Sequence, residues 1–126
     1  ALRFLNNIQK KKSTAFILSD FIADGYEEAL RIASRRHDLI GLHVHDIRER
    51  ELPNVGLIRA VDAETGKLIW IDTSSKKLRK RYQEHFDQHV DYFNQTFRKA
   101  GLDVMSVRTD ESYIHTLQKL FKSRKR

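Results

Sequence analysis

Apolar positions recur along this chain in two periods, one helical and one of strands. Leu2, Phe4, Leu5 and Ile8 fall on one helical face. Lys10-Lys11-Lys12 closes that stretch with the charge that suits a helix C-terminus. A short apolar run, Ala15-Phe16-Ile17-Leu18-Ser19, then stops at Asp20, and a second, Leu39-Ile40-Gly41-Leu42-His43-Val44-His45, stops at Asp46. Between them Tyr26, Ala29, Leu30 and Ala33 follow one another at steps of three and four, the mark of a helix packed on a sheet. A strand, crossover helix and parallel strand are right-handed in nearly all proteins, so Asp20 and Asp46 are expected on the same edge of one sheet.

The rest of the chain extends this plan. Arg48 to Gly56 is polar with Leu52-Pro53 inside it, which predicts a loop. Leu57–Val61 and Lys67–Ile71 flank Asp62-Ala63-Glu64-Thr65-Gly66, which predicts an antiparallel hairpin with Gly66 in a left-handed position. Asp72-Thr73-Ser74 reads as the cap of a long helix, Ser75 to Ala100, with the inner stripe Leu78, Tyr82, Phe86, Val90, Phe93 and Phe97. Leu102–Val107 reads as a third parallel strand. Thr109-Asp110 reads as the cap of a last helix facing inward through Tyr113, Ile114, Leu117, Leu120 and Phe121, with an arginine-rich end expected to fray. The fold class is therefore α/β: a partial, doubly wound parallel sheet in three layers with an inserted antiparallel β-hairpin. No repeat or linker divides the 126 residues, so one domain is expected. The chain opens without Met inside a helical pattern, which reads as part of a longer protein.

Composition narrows the class. An apolar fraction of 40% with a charged fraction of 33% is that of a folded domain rather than a disordered tail. With no cysteine, there is no disulfide frame, thiol nucleophile or thiolate metal site. No apolar run reaches the roughly 20 residues of a membrane span, and the first residues lack a signal-peptide layout, so a cytoplasmic location is expected for this segment. The net charge of +7 is of a size that can favour phosphate polymers or anionic surfaces, but its distribution weakens that idea. Much of it sits in Lys10–Lys12, in a basic patch of Lys76, Lys77, Arg79, Lys80 and Arg81, and in the tail from Lys119 to Arg126.

Few residues carry chemistry by their spacing. His85 and His89 are one helical turn apart, but Phe86 stands where the zinc-helix motif has its glutamate, which favours two polar positions beside the core stripe. His43 and His45 share a strand face and are read as hydrogen-bonded histidines on a covered sheet rather than a metal edge. Asp20 is either an Asx turn or cap, or a metal contact, and as a pair Asp20 and Asp46 have the type for acid and base work. No Gly-rich phosphate loop, nucleophile elbow or Ser-His-Asp spacing accompanies them, so no enzyme activity is expected.

The stretch Ser13 to Phe21, Arg36-His37-Asp38, the block Asp46-Ile47-Arg48-Glu49-Arg50-Glu51-Leu52-Pro53-Asn54-Val55-Gly56, the block Asp62 to Gly66, Thr109-Asp110-Glu111 and Phe121-Lys122-Ser123-Arg124 come in an order that resembles domain-of-unknown-function family fifty-eight. Those bacterial proteins are similar to von Willebrand factor A domains. The resemblance implies that the chain is the C-terminal half of such a domain, with a metal-ion-dependent adhesion site at the carboxyl edge of the sheet. Ser19-Asp20 matches the last element of that site. The Asp-x-Ser-x-Ser stretch and the distant Thr that complete it are missing here, and Phe21 replaces the glycine that often follows the Asp. Asp20 is thus an incomplete metal site, no cofactor is expected in this chain, and Mg²⁺ is implied only for the full-length protein.

The function this implies is a non-catalytic protein-interaction module. Its partner-binding loops would carry Asp46, Glu49 and Glu51 beside Asp20, and the resemblance implies an adaptor working with a MoxR-type AAA+ ATPase. The open edge of the first strand is expected to support a homo-oligomer, and the resemblance allows a membrane anchor upstream in the parent. The alternative function is binding of nucleic acid or an anionic surface through the basic long helix and tail, nucleic acid being the weaker of these readings.

Overall fold

The computed structural model describes residues 2–62 and 65–124. In chain order the elements are α1 (Leu2–Ile8), β1 (Thr14–Ser19), α2 (Glu27–Ser34), β2 (Asp38–His45), α3 (Ile47–Arg50), β3 (Leu57–Val61), β4 (Leu68–Asp72), α4 (Lys76–Lys99), β5 (Asp103–Arg108) and α5 (Tyr113–Arg124). They form two compact units, Ala1–Asp46 with His89–Arg126, and Ile47–Gln88. The class is mixed α/β, with a parallel three-stranded sheet in the first unit and a separate antiparallel hairpin in the second.

In the first unit the strand order is β1-β2-β5, all parallel. β2 is central and reads as a nearly continuous apolar run because both its faces are covered. Ala15, Ile17, Leu39 and Val104 face α2 and the end of α4, where Phe21, Leu30, Ala33, Phe93 and Phe97 complete the core. On the opposite face Phe16 meets Phe121 of α5 edge-on, with ring centroids 6.5 Å apart. The sheet thus lies between helices, as the strand patterns predict. At Gly41 of β2 a Cβ would lie 2.6 Å from Phe97 Cε1 and 3.0 Å from Phe93 Cε2, so the missing side chain is what lets α4 close on the sheet.

Several local expectations are corrected. α1 buries Asn6, whose Nδ2 donates to the carbonyl of Ala29 at 3.1 Å, with Leu2 and Leu5 half-buried; Phe4 and Ile8 point to solvent. A seven-residue helix resting on α2 needs only a narrow contact stripe. The predicted loop after Asp46 begins with one helical turn, α3. Ser75, not Asp72-Thr73-Ser74, caps α4: its Oγ accepts the N–H of Leu78 at 3.3 Å. Asp72 instead accepts Ser74 N–H in an Asx turn, and Thr73 is buried as a brace, donating to the Gly56 carbonyl and accepting from Val55 N–H. The hairpin forms as expected and Gly66 has φ +68°; residues 63 and 64 of its loop lie outside the described residues. The inner stripe of α4 is buried only at Phe93 and Phe97, and Tyr82 is exposed with its hydroxyl donating to the Arg48 carbonyl at 3.0 Å. In α5 Leu120 is buried, whereas Tyr113, Ile114 and Phe121 are more than half exposed, because one helix over three strands leaves its flanks open.

The end of α5 is the clearest departure. Arg124 is anchored, not frayed: Nη1 and Nη2 donate to Asp38 at 2.7 and 2.8 Å, and Nε donates to Asp103 at 2.6 Å. One guanidinium thus ties α5 to the starts of β2 and β5. Residues 125 and 126 of the basic tail lie outside the described residues. The hydrogen bonds from Arg124 hold the Asp38 carboxyl below its ordinary range. A carboxylate with a depressed folded-state pKa adds stability above its unfolded pKa, and that part is lost as the pH falls through the folded value. Arg124→Ala is therefore expected to cost about 1–2 kcal/mol at neutral pH, since the three side chains are partly exposed, and to flatten the loss of stability below about pH 4. Urea melts of both proteins at pH 7 and pH 3 check this; equal stability at pH 7 would contradict it.

Candidate functional site

The carboxyl edge of the sheet carries Asp20, Asp110 and Glu111, all exposed, and Asp46, half-buried. Register sets Ser19 beside His43, and His43 beside Ser106, so these three side chains form a polar row facing α4. His43 is buried, with Nδ1 3.1 Å from Ser106 Oγ and its ring 5.7 Å from Phe93. His45 stacks on His43, ring centroids 4.8 Å apart and ring planes 16° from parallel. His43 is thus covered and hydrogen-bonded, as the sequence suggests, and His45 is half-buried against it.

Beyond that row the strands end in charge. β1 turns sharply at Ser19-Asp20: Ser19 Oγ accepts the N–H of Phe21 at 3.1 Å and donates to Asp20 Oδ1 at 3.3 Å, while Asp20 Oδ1 accepts the N–H of Ile22 at 3.4 Å. Phe21 follows with φ +52°, an uncommon conformation for a non-glycine residue, and is held there by burial against Phe93 and Phe97 at centroid distances of 4.2 and 5.4 Å. The turn leaves the Asp20 side chain at the surface. Asp46, after β2, accepts the hydroxyl of Thr109 at 3.0 Å. After β5, Arg108 grips Asp110 through two hydrogen bonds of 2.9 and 2.8 Å and lies 3.3 Å from Glu111, and the Asp110 carboxyl is lowered by those bonds.

The parallel register thus brings Asp20 and Asp46 to one edge, as the connectivity predicts. Glu49, half-buried in α3, and Glu51, exposed just after it, belong to the second unit. Thr109 and Asp110 do not cap α5; they bind Asp46 and Arg108 instead. Sequence reasoning missed Thr109 as the anchor of Asp46, and the signal for it was its position one residue past a strand that pairs with β2. The basic patch lies on the first turns of α4 in the second unit. Lys76, Lys77, Lys80 and Arg81 are exposed, Lys80 is 3.7 Å from Glu84, and Arg79 is half-buried with Nη1 donating to the Thr73 carbonyl.

As a metal site the edge falls short on its own. A hard divalent cation takes about six oxygen ligands. Asp20 Oδ1 is already committed to the turn, and among the described residues no three His, Cys, Asp or Glu side chains converge where an ion can sit. The residues present do not fit Mg²⁺ by themselves.

Parallel strands with helices on both faces define an α/β fold whose carboxyl edge carries acidic side chains. The chain belongs to the family described as "Protein of unknown function DUF58", which it matches over residues 1–92. Among curated relatives, the uncharacterized protein MAV169 of Mycobacterium avium is 29% identical over 127 aligned residues, which span all of this chain and 75% of the relative. Uncharacterized proteins Rv1480 of Mycobacterium tuberculosis and Mb1516 of Mycobacterium bovis are each 28% identical over 127 residues; the chain spans 40% of their length. No solved structure matches significantly. Among the described residues no helix is long and apolar enough to cross a membrane.

Proposed function

We propose that the chain is the C-terminal part of a von Willebrand factor A-like domain and acts as a non-catalytic protein-interaction module whose carboxyl edge docks a partner. The observation that carries this reading is charge placement. In a chain of net charge +7, the strand ends of the first unit present Asp20, Asp46, Asp110 and Glu111 against a single Arg108. Such an edge favours a partner with a cationic surface, and opposed potentials speed encounter and fix register. The partner we propose is a MoxR-type AAA+ ATPase, with the chain as its adaptor. Asp20→Lys and Asp46→Lys are each expected to weaken binding to the purified ATPase at least about tenfold, as is usual when a buried charge contact is reversed. Unchanged binding by both variants would sink the proposal.

A second reading concerns β1. Its outer edge has no strand partner among the described residues, and Thr14–Ser19 carries no charge to discourage pairing. An antiparallel pairing of two copies centred on Phe16 would set Lys12 of each opposite Asp20 of the other. This predicts concentration-dependent dimerisation of the 126-residue chain; a sedimentation profile of one monomeric species at all concentrations would contradict it.

A further inference from the structure

The hairpin of the second unit turns a face outward that carries four large apolar side chains beside Arg59 and Asp72. Its register sets Leu57 opposite Asp72, Arg59 opposite Trp70 and Val61 opposite Leu68, and residues directly opposite share one face. On that face Leu57, Val61, Leu68 and Trp70 are 63%, 64%, 60% and 67% exposed, while on the other face Ile58, Ala60 and Ile71 are half-buried and Ile69 is 38% exposed. A half-covered antiparallel ribbon ordinarily shows water its polar side. A contiguous apolar stripe containing tryptophan marks a contact surface.

The charges on this stripe and next to it in sequence say what it contacts. Arg59 sits in its centre, Lys67 is exposed at one end, and Lys76, Lys77, Lys80 and Arg81 follow within eleven residues of Trp70, all exposed. Two nearby acids accept local hydrogen bonds: Asp62 Oδ1 accepts Thr65 N–H at 2.9 Å, and Asp72 accepts both Ser74 N–H and Ser74 Oγ–H, which lower its carboxyl. Over residues 57–81, seven Lys and Arg stand against three Asp and Glu. Indole and aliphatic groups beside a cluster of cations match the boundary between anionic headgroups and acyl chains, where tryptophan settles and each basic residue near the surface adds about 1 kcal/mol. A nucleic acid would engage the cations but leave Leu57, Val61 and Leu68 in water.

We propose that the β3–β4 hairpin and the start of α4 dock on an anionic lipid surface, with Trp70 and Leu68 at the headgroup level and the basic residues on the phosphates. Trp70 is the chain's single tryptophan, so its emission reports on this face directly. With vesicles of phosphatidylcholine containing phosphatidylserine, the chain is expected to co-sediment and Trp70 emission to shift to the blue; with phosphatidylcholine alone it should do neither. Leu68→Asp, at an exposed position that leaves folding intact by circular dichroism, should abolish the shift. Replacing Lys76, Lys77, Lys80 and Arg81 together by Gln should weaken binding at least about tenfold. Three results would each overturn the proposal: no co-sedimentation with the anionic vesicles, co-sedimentation with Trp70 emission unchanged, or a blue shift that grows with protein concentration in the absence of lipid. The last would mean that a second copy covers the stripe.

Discussion

Phe21→Ala is expected to destabilise the chain by about 3–5 kcal/mol, and Phe21→Gly by about 1 kcal/mol less than that. At most buried positions glycine is the worse replacement, because it gives up more backbone freedom on folding. Here the order reverses. Phe21 has φ +52°, where a Cβ is strained and glycine is not, and the packing of its ring against Phe93, Phe97 and Tyr26 helps to hold it. Alanine loses the packing and keeps the strain, while glycine loses both. Urea denaturation of the three proteins measures this, and a Gly variant less stable than the Ala variant would show that the ring does not hold a strained turn. The same ring fixes the Ser19-Asp20 turn, so both variants should weaken partner binding even where they remain folded.

Gly41→Val should cost about 3 kcal/mol or more, a large share of the roughly 5–15 kcal/mol by which a domain is stable. The position is in the central strand, between Ile17 and Val104, and the added carbons would meet the rings of Phe97 and Phe93. These rings are fully buried, so they have no open space to move into. Phe97→Leu is itself destabilising, yet in the Gly41→Val background it should cost much less, because the smaller side chain makes room. A double-mutant cycle in urea tests this: a coupling of about 1 kcal/mol or more in that direction is expected, and strict additivity would contradict the contact.

Much of the first unit was legible in the sequence because its strands are short apolar runs with a charged stop. That pattern located β1 and β2, and the crossover rule placed Asp20 and Asp46 on one edge. Elements whose burial depends on what they pack against were less legible. Leu2, Phe4, Leu5 and Ile8 look equivalent by period, but the place where α1 meets α2 decides that Phe4 and Ile8 stay in water. Thr109-Asp110 resembles a helix cap by composition, whereas the pairing of β5 with β2 delivers Thr109 to Asp46. Arg124 reads as one of several basic tail residues, and only the antiparallel return of α5 brings it to Asp38 and Asp103. The hairpin was visible from its turn, but not which of its faces would be outermost. At Ser19-Asp20 the turn reading held, through hydrogen bonds that short-range sequence does encode.

Hydrogen exchange with and without the purified MoxR-type ATPase tests the binding reading most directly. The account predicts slowed exchange on complex formation at the strand ends, in residues 19–22, 45–47 and 108–111. Protection confined to other parts of the chain, with those three segments unchanged, would contradict a partner-binding carboxyl edge.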